Sequence, residues 1–217
     1  MNLKTQSLKS FRNNPNDTSS LGSNSIYTII QTKDRKIWIG TSRGGLNVYD
    51  AVSNRFIRYK HNAKNPKSLS SDRVSSLLED KNGNIWVGTH DAGLNLFDRK
   101  TNTFTRFPHN EHKNSISNHS VRSIYEDRSG NIWLCTYYGL NLFDPKTRLF
   151  TTFTTKDGLP SNPIYAVLED KKGLLWISTG LGLSRINPAT KTFTNFTMED
   201  GLQGEEYKTN SALKSRT

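Results

Sequence analysis

Four tryptophans, Trp38, Trp86, Trp133 and Trp176, recur at spacings of 48, 47 and 43 residues, and aligning the chain on them brings the rest of the sequence into register. Ile26-Tyr-Thr-Ile-Ile, Val74-Ser-Ser-Leu-Leu, Val121-Arg-Ser-Ile-Tyr and Ile164-Tyr-Ala-Val-Leu each begin twelve residues before their tryptophan. Short, β-branched and apolar, each predicts a strand, A. Lys81-Asn-Gly-Asn84, Arg128-Ser-Gly-Asn131 and Lys171-Lys-Gly173 follow as hairpin turns, because Gly and Asn tolerate the positive φ such turns need. The first copy has Lys33-Asp-Arg-Lys36 there, which predicts a different turn. Strand B carries the tryptophan, with a small residue two positions on (Gly40, Gly88, Cys135, Ser178) that implies close packing by a neighbour. Strand C is Gly45-Leu-Asn-Val-Tyr-Asp50 and its counterparts from Gly93, Gly139 and Gly182. Strand D carries two aromatics three apart: Phe56/Tyr59, Phe104/Phe107, Phe150/Phe153 and Phe193/Phe196.

Four antiparallel strands per unit, repeated every roughly 40–50 residues, predict propeller blades. A lone sheet of this kind has two apolar faces, so the copies must stack. The expected fold is all-β, a β-propeller of four-stranded antiparallel blades at about 26–60, 74–108, 121–154 and 164–197, in a single propeller fragment spanning 1–217. Leu8-Lys-Ser-Phe11 aligns with a D strand, and Tyr207 to Leu213 with an A strand. The expectation is therefore four complete blades plus a leading D strand and a trailing A strand: a partial propeller, completed by further blades or by another copy of the chain through its open edges.

Composition narrows the function. Lys and Arg outnumber Asp and Glu by 30 to 19, a net charge of +11, but the basic residues are scattered and form no helical stripe, so no nucleic-acid partner is expected. No apolar run reaches the roughly 18 residues of a membrane span, and Met1 to Ser20 carries no apolar signal core, so no membrane contact by this segment is expected. Cys135 is the only cysteine, which excludes an intrachain disulfide and leaves the compartment open.

Leu78-Glu-Asp-Lys-Asn-Gly-Asn-Ile-Trp-Val-Gly-Thr89 followed by Gly93-Leu-Asn-Leu-Phe-Asp98 resembles the two-component regulator propeller repeat, and four copies cover residues 26 to 196. Asp200-Gly-Leu-Gln-Gly-Glu-Glu-Tyr207 is similar to that family's last-blade junction. The resemblance implies the extracytoplasmic sensor region of a hybrid histidine kinase or related regulator, on the periplasmic or extracellular side of a bacterial inner membrane. It also implies an oligosaccharide as ligand, with any kinase activity outside this chain.

In such blades the D–A connections and B–C loops share one face, where a rigid scaffold presents ligand-binding loops. The B–C loops differ between copies whose flanking strands agree. Arg43, His90, Asp91, Tyr137 and Tyr138 are the candidate ligand residues, with tyrosine rings suited to sugar stacking and Arg with Asp to hydroxyl or uronate contacts. Arg73, His119 and Arg122, at the starts of A strands, form a second tier. No catalytic residue, cofactor or metal is assigned. His109-Asn-Glu-His112 with His119 has a metal-like composition, but other copies offer only His61. Asp80, Asn82 and Asn84 mimic a calcium loop, yet Ile85 stands where Gly is required. Cys135, aligned with Gly40, Gly88 and Ser178, reads as a buried small residue, and the recurring Glu79-Asp80, Glu126-Asp127 and Glu169-Asp170 as turn formers. A protein-interaction scaffold is the alternative function, and a propeller lyase or dehydrogenase a weaker one, because no acid/base cluster is present.

Overall fold

A computed structural model describes residues 8–111, 114–204, 207–209 and 212–213. It contains four antiparallel sheets of four strands, each sheet running in sequence order from an inner to an outer strand. Blade 1 comprises β1 (Ile26–Gln31), β2 (Ile37–Thr41), β3 (Leu46–Asp50) and β4 (Arg55–Tyr59). Blade 2 comprises β5 (Val74–Glu79), β6 (Ile85–Thr89), β7 (Leu94–Asp98) and β8 (Thr103–Phe107). Blade 3 comprises β9 (Val121–Glu126), β10 (Ile132–Thr136), β11 (Gly139–Asp144) and β12 (Leu149–Phe153). Blade 4 comprises β13 (Ile164–Glu169), β14 (Leu175–Thr179), β15 (Leu183–Asn187) and β16 (Thr192–Phe196). Among the described residues helix is confined to single 3-10 turns at Thr155–Asp157 and Met198–Asp200. The inner strands pack in series, β1 on β5, β5 on β9 and β9 on β13.

Trp38, Trp86 and Trp133 face the following blade. Trp38, Leu46 and Val48 share a core with Val74, Leu77, Ile85 and Val87 of blade 2. Trp86 and Leu94 join Val121, Ile124 and Ile132 of blade 3. Trp133 and Cys135 join Ile164, Val167 and Leu175 of blade 4. Burial of these apolar side chains is what stacks the blades. The small residue after each tryptophan makes room for the neighbour: a Cβ on Gly40 would stand 2.6 Å from the Val74 Cγ1, and one on Gly88 would stand 2.8 Å from the Val121 Cγ1. Cys135 fills the same position, and burial pushes its thiol pKa up, which keeps it protonated and inert.

The recurring Glu-Asp pair does more than form a turn. The Asp127 carboxylate accepts the Ser129 and Asn131 backbone N–H groups at 2.9 Å each, and the Trp133 indole N–H at 2.8 Å. Asp80 holds Trp86 at 2.9 Å and Asp170 holds Trp176 at 3.0 Å in the same way. The glutamate reaches the preceding blade: Glu79 accepts the Lys33 N–H at 2.7 Å, Glu126 the Lys81 N–H at 2.8 Å, and Glu169 the Arg128 N–H at 3.1 Å. In return the Lys33, Lys81 and Arg128 side chains donate to backbone carbonyls of the next blade. Each blade boundary thus carries the same polar clamp.

Blade 1 departs from this pattern in one respect and keeps to it in another. Thr32 replaces the aspartate, and its hydroxyl is engaged by Asp34 and the Lys36 carbonyl. The Trp38 indole N–H is consequently buried without a partner. The turn itself is not different, contrary to the sequence expectation. Arg35 adopts φ 64°, close to the 83° of Gly83, and its N–H donates to the Thr32 carbonyl as the Gly83 N–H does to Asp80. The hydrogen bond that closes the turn holds a non-glycine residue in the left-handed region. Thr32→Asn is expected to offer the Trp38 indole an acceptor without setting a second carboxylate against Asp34, and to raise stability by about 1 kcal/mol, readable as an upward shift of the thermal midpoint.

The two flanking strands differ from expectation. Leu8 to Phe11 forms no strand, because among the described residues no C strand lies beside it to complete a ladder. The alignment nevertheless locates Phe11 well: it packs on Tyr49 and Phe56 at 4.9 and 5.4 Å, as Tyr59 packs on Phe97 and Phe104 at 4.9 and 5.9 Å. The connection that follows also copies its counterparts, since Leu21, Leu69, Ile116 and Leu159 are all buried. Of the proposed trailing A strand, Tyr207 to Thr209 and Ala212 to Leu213 are not strand, and Asn210 and Ser211 lie outside the described residues, as do Glu205 and Glu206 of the junction.

Candidate functional site at the starts of the inner strands

Each inner strand carries a β-bulge near its first residue. Ile26 pairs with Thr41 and Thr28 with Gly40, so Tyr27 is skipped. Ser75 is skipped between Val74 and Ser76, Arg122 between Val121 and Ser123, and Tyr165 between Ile164 and Ala166. A bulge inserts one residue into a ladder and re-aims its side chain. The four bulged residues occupy one repeat position. Three of them, Tyr27, Ser75 and Arg122, line a single cavity of about 280 Å³ together with His90, Ser120, Tyr137 and Thr209. The fourth, Tyr165, touches Arg122 from blade 4.

Arg122 sits at the centre. Its guanidinium carbon lies 3.5 Å from the Tyr137 ring centroid and 4.5 Å from that of Tyr165. Such contacts stabilise a cation by about 0.5–2 kcal/mol and fix the plane of the guanidinium. The Arg122 Nη1 atom is buried and has no hydrogen-bond partner, and neither has the Ser120 hydroxyl in the same wall. His90 stands beside Tyr137, ring centroids 6.4 Å apart, and its backbone N–H donates to the Arg73 carbonyl at 2.9 Å. That bond ties a B–C loop to a D–A connection. So do the bonds from the Gly93 N–H to the His119 carbonyl and from the Gly139 N–H to the Asn162 carbonyl, both at 2.8 Å. The loops that frame the cavity are thereby anchored to the scaffold. Gly93 serves this geometry with φ 76° and the Phe107 carbonyl 2.5 Å from where a Cβ would stand.

The eight residues singled out from sequence are distributed unevenly. His90, Arg122 and Tyr137 meet in the cavity. Tyr138, next to Tyr137, is half exposed. Arg73 and Asp91 pair with each other at 3.4 Å across blade 2. His119 is exposed and packs edge-on against His109, centroids 4.8 Å apart. Arg43 is exposed in the blade 1 loop and is not part of the cavity wall. Sequence reasoning missed Tyr27, Ser75, Ser120, Tyr165 and Thr209. The signal for three of these was in the alignment: Tyr27, Ser75 and Tyr165 share the Arg122 column, and that column diverges within otherwise matching strands.

Among the described residues no group of three or more His, Cys, Asp or Glu side chains is placed to hold a metal, while His112 lies outside them. No described helix is long and apolar enough to cross a membrane. The cavity offers one cation, three aliphatic hydroxyls (Ser75, Ser120 and Thr209), an imidazole and aromatic faces, a set suited to binding a small polar ligand.

Residues 20–43, 68–91, 115–138 and 158–180 match the family described as two component regulator propeller. The fold is similar to the extracellular domain of a putative hybrid two component system from B. thetaiotaomicron, at 26% identity and a TM-score of 0.82, over 100% of this chain and 28% of that one. A second extracellular domain from the same bacterium, of a putative one component system, is 24% identical with a TM-score of 0.71, over 86% of this chain and 26% of that one. The fold is also similar to a catalytically inactive virginiamycin B lyase from Staphylococcus aureus, at 13% identity and a TM-score of 0.59, over 84% and 57% of the two chains. The chain spans about a quarter of the length of the two extracellular domains it matches. No curated protein sequence matches it.

Proposed function

Since this chain is built from two component regulator propeller repeats, we propose that it is a non-catalytic, ligand-sensing part of an extracytoplasmic sensor region, and that its ligand is an oligosaccharide. The observation that carries this reading is the Arg122 cluster, where aromatic rings and unsatisfied donors converge in one cavity. Sugars present both C–H faces for aromatic stacking and hydroxyls for hydrogen bonds, and this wall offers partners for both. A rigid scaffold with a ligand at its mouth passes a signal by differential affinity for two arrangements of the parent protein.

Calorimetric titration of the chain with a panel of soluble oligosaccharides and a panel of peptides tests the reading. At least one oligosaccharide is expected to bind, with Tyr137→Ala weakening it about tenfold, the loss of roughly 1.4 kcal/mol of stacking. Binding of peptides alone would favour the interaction-scaffold alternative, and silence across the glycan panel would remove the sugar assignment.

We also infer that the free face of blade 1 is an association surface. Ile26 and Ile29 are 42% and 58% exposed, whereas the equivalent Val74, Val121 and Ile164, and Leu77, Ile124 and Val167, are buried by a preceding blade. On blade 4, Lys171 holds the position from which Lys33, Lys81 and Arg128 clamp the next blade. A further blade, or a second copy of the chain, fits both surfaces. Sedimentation velocity is expected to show association that grows with concentration and is weakened by Ile29→Lys, while a clean monomer at high concentration would count against it.

A further inference from the structure

The charge in the cavity is uncompensated. Arg122 makes no ion pair among the described residues, and Asp91, the acidic residue at the same loop cluster, is committed to Arg73 at 3.4 Å. Tyrosine rings lie against the guanidinium at 3.5 and 4.5 Å, so its N–H edge is what remains for a partner. On that edge Nη1 is buried and unpaired, and the Ser120 hydroxyl, also buried and unpaired, lines the same space. A buried donor left without an acceptor costs about 1–3 kcal/mol, and more when it is charged. The arginines of the D strands are satisfied: Arg58 and Arg106 each donate to several carbonyls of the connection they cross. Of the three buried side-chain groups left unpaired among the described residues, the Trp38 indole N–H, the Ser120 hydroxyl and Arg122 Nη1, the last two share this cavity.

Resting on the ligand-sensing reading above, we propose that the cavity selects an anionic ligand, with Arg122 receiving a carboxylate or sulfate group of an acidic sugar and Ser120 donating to the same group. A planar guanidinium held by stacking is preorganised for two parallel N–H···O bonds to a carboxylate, a geometry lysine does not reproduce. The remaining wall, Tyr27, Ser75 and His90, then meets the sugar ring that carries the anion.

Three probes separate this inference from the sugar reading on which it rests: trigalacturonate, its neutral counterpart galactotriose, and citrate, which carries carboxylates without a sugar ring. Calorimetry on the 217-residue chain is expected to show trigalacturonate binding at least tenfold more tightly than galactotriose. The difference should shrink as salt is raised, since screening weakens the charge pair. Arg122→Gln should abolish the preference, bringing the affinity for trigalacturonate down to that for galactotriose measured on the same variant, and Arg122→Lys should recover only part of it. The thermal midpoint of each variant shows that it is folded. Equal affinity for the acidic and neutral trisaccharides, unaffected by Arg122→Gln, would overturn the anionic inference and leave the sugar reading standing. Binding of citrate with no binding of either trisaccharide would support the anion site and overturn the sugar reading. No binding of either anionic probe would overturn the anion site.

Discussion

Asp127→Ala is expected to lower stability by about 3 kcal/mol, or roughly 6–12 °C in the thermal midpoint of a chain of this length. The carboxylate is buried and gathers four donors: the Ser129 and Asn131 backbone N–H groups, the Asn131 side-chain amide at 2.8 Å, and the Trp133 indole at 2.8 Å. Ser129 is exposed and its N–H turns to water at little cost. Trp133 is 1% exposed, so its N–H has no such recourse and pays the desolvation of an unmade bond. The damage spreads because Trp133 belongs to the core shared with blade 4. Asp144→Ala, at the exposed end of β11, removes bonds to Lys146 and Thr147 only, and is expected to shift the midpoint far less. Equal effects of the two substitutions in thermal denaturation would contradict the role given to the aspartate–tryptophan pair.

The second large effect is acid unfolding. Partial burial works to raise the pKa of Asp170, but bonds from the Trp176 indole and the Leu174 and Lys172 backbone N–H groups more than reverse it, holding the carboxyl below the ordinary range. The turn aspartates follow. The Ser53 hydroxyl and Val52 N–H lower Asp50, the Lys100 N–H and Thr101 hydroxyl lower Asp98, and the Lys146 N–H and Thr147 hydroxyl lower Asp144. A carboxylate whose pKa is depressed by folding contributes stability above its unfolded pKa, near about 3.9, and loses it as pH falls through the folded value. The thermal midpoint is therefore expected to hold steady from neutral pH to about pH 5 and to fall steeply below about pH 4. The net charge of +11 grows as carboxylates protonate and adds repulsion in the same direction. A midpoint unchanged down to about pH 3 would show that these bonds carry no linkage.

The blades were legible because a repeat tests itself. One Asn-Gly turn before one tryptophan is weak, but four copies in register fix strand order and turn positions together, and the small residue after each tryptophan revealed the close approach of Val74 and Val121. The polar clamp was only half legible. Recurrence of Glu79-Asp80, Glu126-Asp127 and Glu169-Asp170 marked a scaffold role, but that the glutamate reaches back to the preceding blade depends on stacking geometry, which no local pattern encodes. The Arg35 turn misled because propensity favours glycine there, while the hydrogen bond to Thr32 imposes the conformation regardless. The cavity was the least legible part. A period-2 reading of the A strands treats Tyr27, Ser75, Arg122 and Tyr165 as ordinary ladder residues, and a bulge breaks that period by one residue without leaving a mark in any single copy. Loop divergence drew attention to Arg43 and Asp91, which lie outside the cavity wall, and Arg122 ranked behind them.

The central claim is that ligand enters where the bulged residues of the inner strands converge. Hydrogen exchange, measured on the chain with and without the tightest-binding oligosaccharide of the calorimetric panel, tests it most directly. Slowed exchange is expected at the starts of β1, β5, β9 and β13 and at the loop carrying Tyr137, with the turns at Asp50, Asp98 and Asp144 unchanged. Protection confined to those turns, or to the Arg43 loop without the strand starts, would contradict it.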